Sequence, residues 1–391
     1  MAGIYIHIPF CKQACNYCDF HFSTSLKNKG EFLAALIREI TLQKKYLNDS
    51  ELALKGGVNR NIPGSVINTI YFGGGTPSLL RQEELLTIFE ELQAHFTIAP
   101  DAEITLEANP DDLSVEKLKE LKKTPINRLS IGIQSFFDED LQFMNRAHNV
   151  QMALSSVKAA RENGFANISI DLIYGTPTLT DENWRENLRI AFELDVQHIS
   201  CYALTVEAKT ALDYAIKSGK TKNVDEFHTA RQFEILIDEM KKNNFIQYEI
   251  SNFCKEGFYS KHNSNYWLKE KYLGLGPSAH SYNGVSRQWN VKNNMRYTQA
   301  LQNNELDFEK EILTPDQQYN EYILTSLRTI WGTDLRVIKQ FGDNYLSNCL
   351  QEAQAYFDSA DLLQKGDHIY LTDKGKLLAD RISSDLFACP D

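Results

Sequence analysis

Through the first two-thirds of the chain, short aliphatic and β-branched runs alternate with longer stretches whose apolar positions recur every three or four residues. The runs 4–8, 68–72, 103–106, 128–133, 167–172 and 198–202 predict six strands. Between them, 31–46, 82–95, 115–123, 150–163 and 181–194 predict amphipathic helices. Six β/α units joined by right-handed crossovers predict an α/β fold with a parallel sheet, a partial or closed (β/α)6 TIM-like barrel. A helix over about 225–243 completes this barrel domain, residues 1–245. The pattern weakens over 245–292, where Asn, Tyr, Gly and Lys are frequent. Residues 246–391 are expected to form a smaller C-terminal α+β domain. It comprises a connecting segment to about 313 and then a helical and hairpin unit over 314–391, winged-helix-like, with its strand at 368–372. Residues 50–65, rich in Gly and closed by Pro63 and Gly64, read as an extended, mobile surface loop.

A barrel gathers its chemistry where strands end and βα loops begin. The first predicted strand runs into a loop with three cysteines, and the second into Gly73, Gly74, Gly75, Thr76 and Pro77. The third ends at Glu107 and Asn109, the fourth near Gln134, the fifth carries Asp171 ahead of Gly175, and the sixth ends at Cys201 and Tyr202. Polar and glycine-rich residues thus collect at one rim. Singly, each has a plainer role: the glycine run as a turn, Glu107 as a helix cap, Asp171 as a partner for buried backbone, Arg146 in a surface ion pair.

Composition narrows the class. Hydrophobic residues at 42% and charged residues at 24% are ordinary for a globular protein and too apolar for a disordered one. No run of about 18 uncharged apolar residues exists, and residues 1–10 lack the basic and apolar segments of a signal peptide, so a cytoplasmic protein is expected. A net charge of −11 argues against nucleic acid as the main partner.

Seven cysteines make an odd count, and Cys11, Cys15 and Cys18 crowd into one short loop, so metal binding fits better than a disulfide framework. A structural zinc site needs a fourth ligand, from His7, His21, Cys201 or Cys254. An iron-sulfur cluster on three thiolates keeps one iron open for a cofactor or substrate. Cys201, Cys254, Cys349 and Cys389 show no metal spacing and read as buried or free thiols.

The run Tyr5, Ile6, His7, Ile8, Pro9, Phe10, Cys11, the cysteine spacing and the Gly73–Pro77 turn resemble the radical SAM superfamily, within it the oxygen-independent coproporphyrinogen oxidase-like group. The resemblance extends to 128–134, 170–175 and 262–267, and so covers nearly the whole chain. It implies a [4Fe-4S] cluster on Cys11, Cys15 and Cys18 whose open iron chelates S-adenosylmethionine (SAM), with cleavage of SAM to a 5'-deoxyadenosyl radical. It also implies SAM contacts from Tyr5, Tyr17, Gly74, Gly75, Thr76, Glu107, Gln134, Arg146 and Asp171, and an electron donor as a partner.

The motif His262, Asn263, Ser264, Asn265, Tyr266, Trp267 joins an imidazole to two large aromatics. From the residues alone it reads first as a loop anchoring the second domain; the resemblance implies instead a tetrapyrrole contact, with haem on His262, Asn263, Tyr266 and Trp267, and His280 as a second candidate ligand. Two functions follow from the group. One is a coproporphyrinogen III dehydrogenase that oxidatively decarboxylates two propionates. The other is a haem chaperone that uses the cluster and SAM and delivers haem to respiratory haem proteins, membrane-associated ones included. Decarboxylating members have a fourth cysteine where this chain has Phe20, and an extension ahead of the first strand, whereas here that strand begins close to Met1. Both departures favour the chaperone branch.

Overall fold

The structure, a computed structural model, describes residues 1–48 and 65–388. The expected loop at 50–65 and Cys389 lie outside the described residues, apart from Ser65. All six expected strands form: β1 (Ala2–Ile8), β2 (Ile67–Gly74), β3 (Ile98–Ala108), β4 (Arg128–Gln134), β5 (Asn167–Tyr174) and β6 (His198–Ala203). They pair in parallel in that order, and the expected helices lie between them, among them Lys29–Gln43, Gln82–His95, Val150–Glu162 and Asp181–Glu193.

Alternation along these strands separates two environments. Ile4, Ile6, Ile8, Ile70, Phe72, Leu106, Leu129, Ile131, Ile133, Ile168, Ile170 and Ile199 are buried in one hydrophobic core with Leu36, Phe89, Leu118, Val157 and Leu188 of the surrounding helices. Burying each such side chain stabilises the fold by roughly 1.5–3 kcal/mol. The intervening positions are polar or small. Tyr71 on β2 donates its hydroxyl to Glu107 on β3 (2.8 Å), and Ser130 on β4 reaches Asp171 on β5 (3.5 Å). The inner face is therefore a polar lumen rather than a second apolar core.

Residues 246–312, expected to lie in the C-terminal part, instead complete the barrel's own sheet. A hairpin of β7 (Ile246–Glu249) and β8 (Asn252–Cys254) pairs antiparallel with β6. On the other side β9 (Lys271–Leu275) lies parallel to β1, followed by antiparallel β10 (His280–Tyr282), β11 (Ser286–Asn290) and β12 (Phe308–Ile312). Among the described residues the sheet has twelve strands and is open, with β12 and β7 at its edges. These added strands are short and broken by Gly, His and Asn, which explains why the hydrophobic pattern fades over them.

The C-terminal unit has its own core, in which Tyr319, Ile323, Ile338, Ala353, Ile369 and Ile382 are buried. Helices Pro315–Leu327, Leu335–Phe341 and Asp343–Asp358 surround a three-stranded sheet of β13 (Thr333–Asp334), β14 (Leu362–Lys365) and β15 (His368–Leu371), as the winged-helix-like expectation requires. Among the described residues no helix is long and apolar enough to cross a membrane.

The helix Lys261–Trp267 stops the N-terminal end of the lumen. The ring of His262 lies against Gly3 at the start of β1, where an added Cβ would sit 3.4 Å from it, and bonds Thr69 near the start of β2 (2.8 Å). Buried Glu103 on β3 accepts the backbone N–H groups of Lys261 (3.1 Å) and His262 (3.0 Å), capping the helix. Glu103→Ala leaves those two donors without their acceptor. We expect it to lower unfolding free energy by about 1–3 kcal/mol, read as a shifted urea midpoint, with Glu103→Gln costing less.

Candidate functional site

The loop after β1 is closed at its neck and tied at its tip. Ser23 donates to the Pro9 carbonyl (2.9 Å) and Cys11 N–H to the Ser23 carbonyl (3.0 Å). Asn16 N–H donates to Met144 (3.2 Å), the Asn145 side chain to Ala14 (2.7 Å), and Leu212 N–H to Asn16 (2.8 Å). These bonds hold the three cysteines over the C-terminal ends of the strands. Cys11, Cys15 and Cys18 are half-buried and line one cavity of about 450 Å³. Burial pushes the Cys18 thiol up to about 11 and also raises that of Cys11.

The glycine turn after β2 lets backbone approach closely. A Cβ on Gly74, whose φ is +103°, would fall 2.6 Å from the His7 ring, and one on Gly75 would fall 2.6 Å from the Phe10 carbonyl oxygen. Gly74, Gly75 and Thr76 therefore face the cavity beneath the cysteine loop. Gln134 ends β4 in the left-handed region, φ +68°, and also lines the cavity. A non-glycine residue held there is a strained position of the kind that clusters at functional sites.

Charge is distributed unevenly round this mouth. Glu107 and Asp171 are both half-buried in the cavity wall. Burial raises Glu107 to about 7, against the Tyr71 hydrogen bond and helped by the nearby Asp171 carboxylate. Burial likewise raises Asp171 to about 6, opposed by its Ser200 hydrogen bond and by the Arg128 charge. Arg128, 1% exposed, projects from the start of β4 into the lumen, and its Nε and Nη1 are buried without a hydrogen-bond partner. Across the cavity Arg146 donates to the Asn109 side chain (2.8 Å), the Gly132 carbonyl (3.0 Å) and Cys15 Sγ (3.2 Å). Its Nε is buried and unpartnered, a donor suited to an anionic ligand.

Eight of the nine residues expected to contact SAM line this cavity: Tyr17, Gly74, Gly75, Thr76, Glu107, Gln134, Arg146 and Asp171. Tyr5 lies beneath, its ring against Tyr71 and its hydroxyl on His7 Nδ1 (3.3 Å). His7 Nε2 faces the His21 carbonyl (2.8 Å), and His21 Nε2 bonds the Asn294 side chain (2.6 Å). Cys201 and Cys254, the other candidates to complete a zinc site, are buried on β6 and β8. Among the described residues no three His, Cys, Asp or Glu side chains are grouped to hold a single metal ion. A cluster takes each thiolate on a different iron, and three thiols lining one open cavity suit it.

The wall also includes Asn109 and Tyr202, which the sequence reading placed at the rim, and residues that it passed over, among them Ser130, Gly132, Ala203 and Thr205. Ser130 and Gly132 share the inward face of β4 with Gln134, and strand periodicity alone points to them. His262, Asn263, Tyr266 and Trp267 are at the opposite end of the lumen. His262 is 2% exposed, with Nδ1 on Thr69 and Nε2 on the Tyr266 hydroxyl (2.9 Å). His280 is exposed on β10, 6.1 Å from the Trp289 ring.

The Radical SAM superfamily description matches residues 5–191. The chain is 35% identical to the haem chaperone HemW of Bacillus subtilis (strain 168), with 98% of each chain covered. It is 33% identical to HemW of Mycobacterium tuberculosis (strain H37Rv), covering 97% of this chain and 93% of that one. Among solved structures it resembles coproporphyrinogen III oxidase (HemN) from Escherichia coli, a radical SAM enzyme, with a TM-score of 0.82 over 99% of this chain and 90% of that one; at 22% identity this match speaks for the fold alone. The strand-end cavity, the cysteine loop and the full-length similarity agree: the chain belongs to the radical SAM superfamily, in the family of the haem chaperone HemW.

Proposed function

We propose that this protein is a cytoplasmic haem chaperone: it binds haem and, with a [4Fe-4S] cluster and SAM, delivers it to respiratory haem proteins. The observation that carries this reading is similarity along both chains, end to end, to relatives named as haem chaperones. Phe20 supports it. Decarboxylating members of the wider group have a cysteine at that position, whereas here an aromatic ring, 67% exposed, lines the cavity. The alternative is coproporphyrinogen III dehydrogenase chemistry, which the HemN-like fold accommodates.

Cys11, Cys15 and Cys18 would hold the cluster, which when bound supplies an electron and an open iron to SAM. The chain's own residues position the cofactor. Arg146, with its free Nε, and Gln134 suit a carboxylate. Glu107 and Asp171 suit an ammonium group or ribose hydroxyls, and the close backbone at Gly74 and Gly75 suits a polar group of the same ligand. Thr76, Tyr17 and Tyr5 complete the expected contacts, Tyr5 from the layer below. Haem contacts are expected at His262, Asn263, Tyr266 and Trp267; one at His262 would require its ring to give up a present partner, because both its nitrogens are already engaged.

Three measurements test this reading. Anaerobically reconstituted protein should retain haem through gel filtration and form no protoporphyrinogen IX from coproporphyrinogen III and SAM; formation of that product would sink the chaperone assignment. Cys18→Ser should lose the oxygen-sensitive cluster absorbance while the apo-protein keeps its melting temperature, and retention of the full chromophore would remove Cys18 from the ligand set. SAM binding should weaken as pH falls through about 7, because Glu107 then takes up a proton and loses the charge that attracts an ammonium group. Glu107→Gln should weaken SAM about tenfold near pH 8, about 1.4 kcal/mol, and flatten that limb of the titration. An unchanged pH profile by calorimetry would take Glu107 out of the SAM site.

A further inference from the structure

Next to the cysteine cavity, but outside the residues that line it, a buried carboxylate gathers hydroxyls from two strand-end loops. Asp140, 2% exposed, accepts from Ser135 after β4 (2.7 Å) and from Thr176 (3.3 Å) and Thr178 after β5. A carboxylate this deeply buried is tolerated only while such donors are in place. We propose that Asp140 is a positioning residue for the carboxylate end of SAM: it fixes Arg146 and Gln134 from outside the cavity without touching the ligand. That role rests on the SAM-binding reading above and concerns what sets the geometry of the same site.

One arm runs from Asp140 to Gln134. A carboxylate only accepts, so each hydroxyl has to point its proton at Asp140 and turn its lone pairs elsewhere. Ser135 offers them to Phe137 N–H (3.2 Å) and to the Asn187 side-chain amide (3.2 Å), and Asn187 in turn accepts Phe136 N–H (2.6 Å). Ser135, Thr176 and Asn187 are fully buried. The turn that follows Gln134 is thereby fastened at three successive residues. Gln134 itself stands at φ +68°, a conformation that persists only where its surroundings fix it.

The other arm runs through the helix that carries Asp140, Asp138–Phe143. Its end closes with Met144 N–H on the Asp140 carbonyl (2.9 Å) and Arg146 N–H on the Leu141 carbonyl (2.8 Å), so the backbone of Arg146 is set by where that helix lies. The same turn holds the tip of the cysteine loop, through Met144, which accepts Asn16 N–H (3.2 Å), and Asn145, which donates to the Ala14 carbonyl (2.7 Å). The two arms converge over Gly132. A Cβ added there would lie 3.0 Å from Gln134 Nε2 and 3.2 Å from Arg146 Nη2. These are the two side chains that suit a carboxylate ligand, and a shift of either arm is felt at one end of one molecule.

The test is calorimetry on the anaerobically reconstituted full chain with two ligands, SAM and decarboxylated SAM, which keeps the sulfonium and the amino group. Asp140→Ala should weaken SAM about tenfold and leave the decarboxylated ligand within about threefold of its wild-type affinity. Asp140→Asn, which keeps the shape and one acceptor oxygen, should recover most of the loss. In an Arg146→Met background, Asp140→Ala should change SAM affinity by less than about threefold, because the group it positions is already gone. Thr178→Val removes one hydroxyl at a half-buried position and should show the same selectivity at smaller amplitude, which decides the matter if Asp140→Ala does not fold. If the variants bind SAM like the wild type, weaken both ligands alike, or act equally with and without Arg146, the positioning role falls and the SAM site stands. If the wild type binds the two ligands alike, the carboxylate contact at Arg146 falls and the positioning role with it.

Discussion

Polar groups turned into the lumen of a parallel sheet must be balanced away from bulk water, and the balance struck between Arg128, Glu107 and Asp171 governs the rest of this structure. Arg128 is fully buried with two guanidinium nitrogens unpaired, while burial pushes both carboxyls toward their neutral forms and the Arg128 charge opposes that push. A lumen of this kind cannot be packed shut with aliphatic side chains. It has to be stopped at one end and left open to a polar ligand at the other. The helix Lys261–Trp267 does the first, and the strand-end cavity beneath the cysteine loop provides the second.

The division between an aliphatic outer face and a polar inner face was legible in the chain, because alternation at two-residue spacing is local. Ile4, Ile6 and Ile8 announce a strand whatever lies between them, and Tyr5 and His7 then necessarily face the other way. The same logic placed Glu107, Gln134 and Asp171 at one rim. What could not be read was anything requiring two distant segments to meet. The contact of His262 with Thr69 spans 193 residues and leaves no trace in either stretch. Strands β7 to β12 escaped for a related reason: each is three to five residues long and acquires its partner only from the sheet already built. Arg146 was legible as a candidate only through family resemblance, since its position beside Cys15 depends on how residues 143–145 tie down the loop tip.

The glycines and the strained Gln134 show how the site's geometry is maintained. Gly74 and Gly75 are glycine because backbone or an imidazole ring occupies the space a side chain would need. Gln134 tolerates a left-handed conformation because the ladder to β5 resumes at that residue, after a register shift, and fixes it. Both devices bring main chain close to the space under the cysteines, where a small polar ligand gains most from fixed donors and acceptors.

The pairing of β1 with β9 has a consequence for how the protein is made. The strand that leads into the cysteine loop is held on one side by β2 and on the other by residues 271–275, and the lumen beneath it is stopped by residues 261–267. A ribosome delivers these parts in the opposite order to that in which the site needs them. The cysteines emerge first, but their supporting strand lacks one neighbour until β9 has been synthesised, and a sheet dominated by such distant pairings folds slowly. The cysteine loop therefore acquires its full support only after most of the chain has been translated.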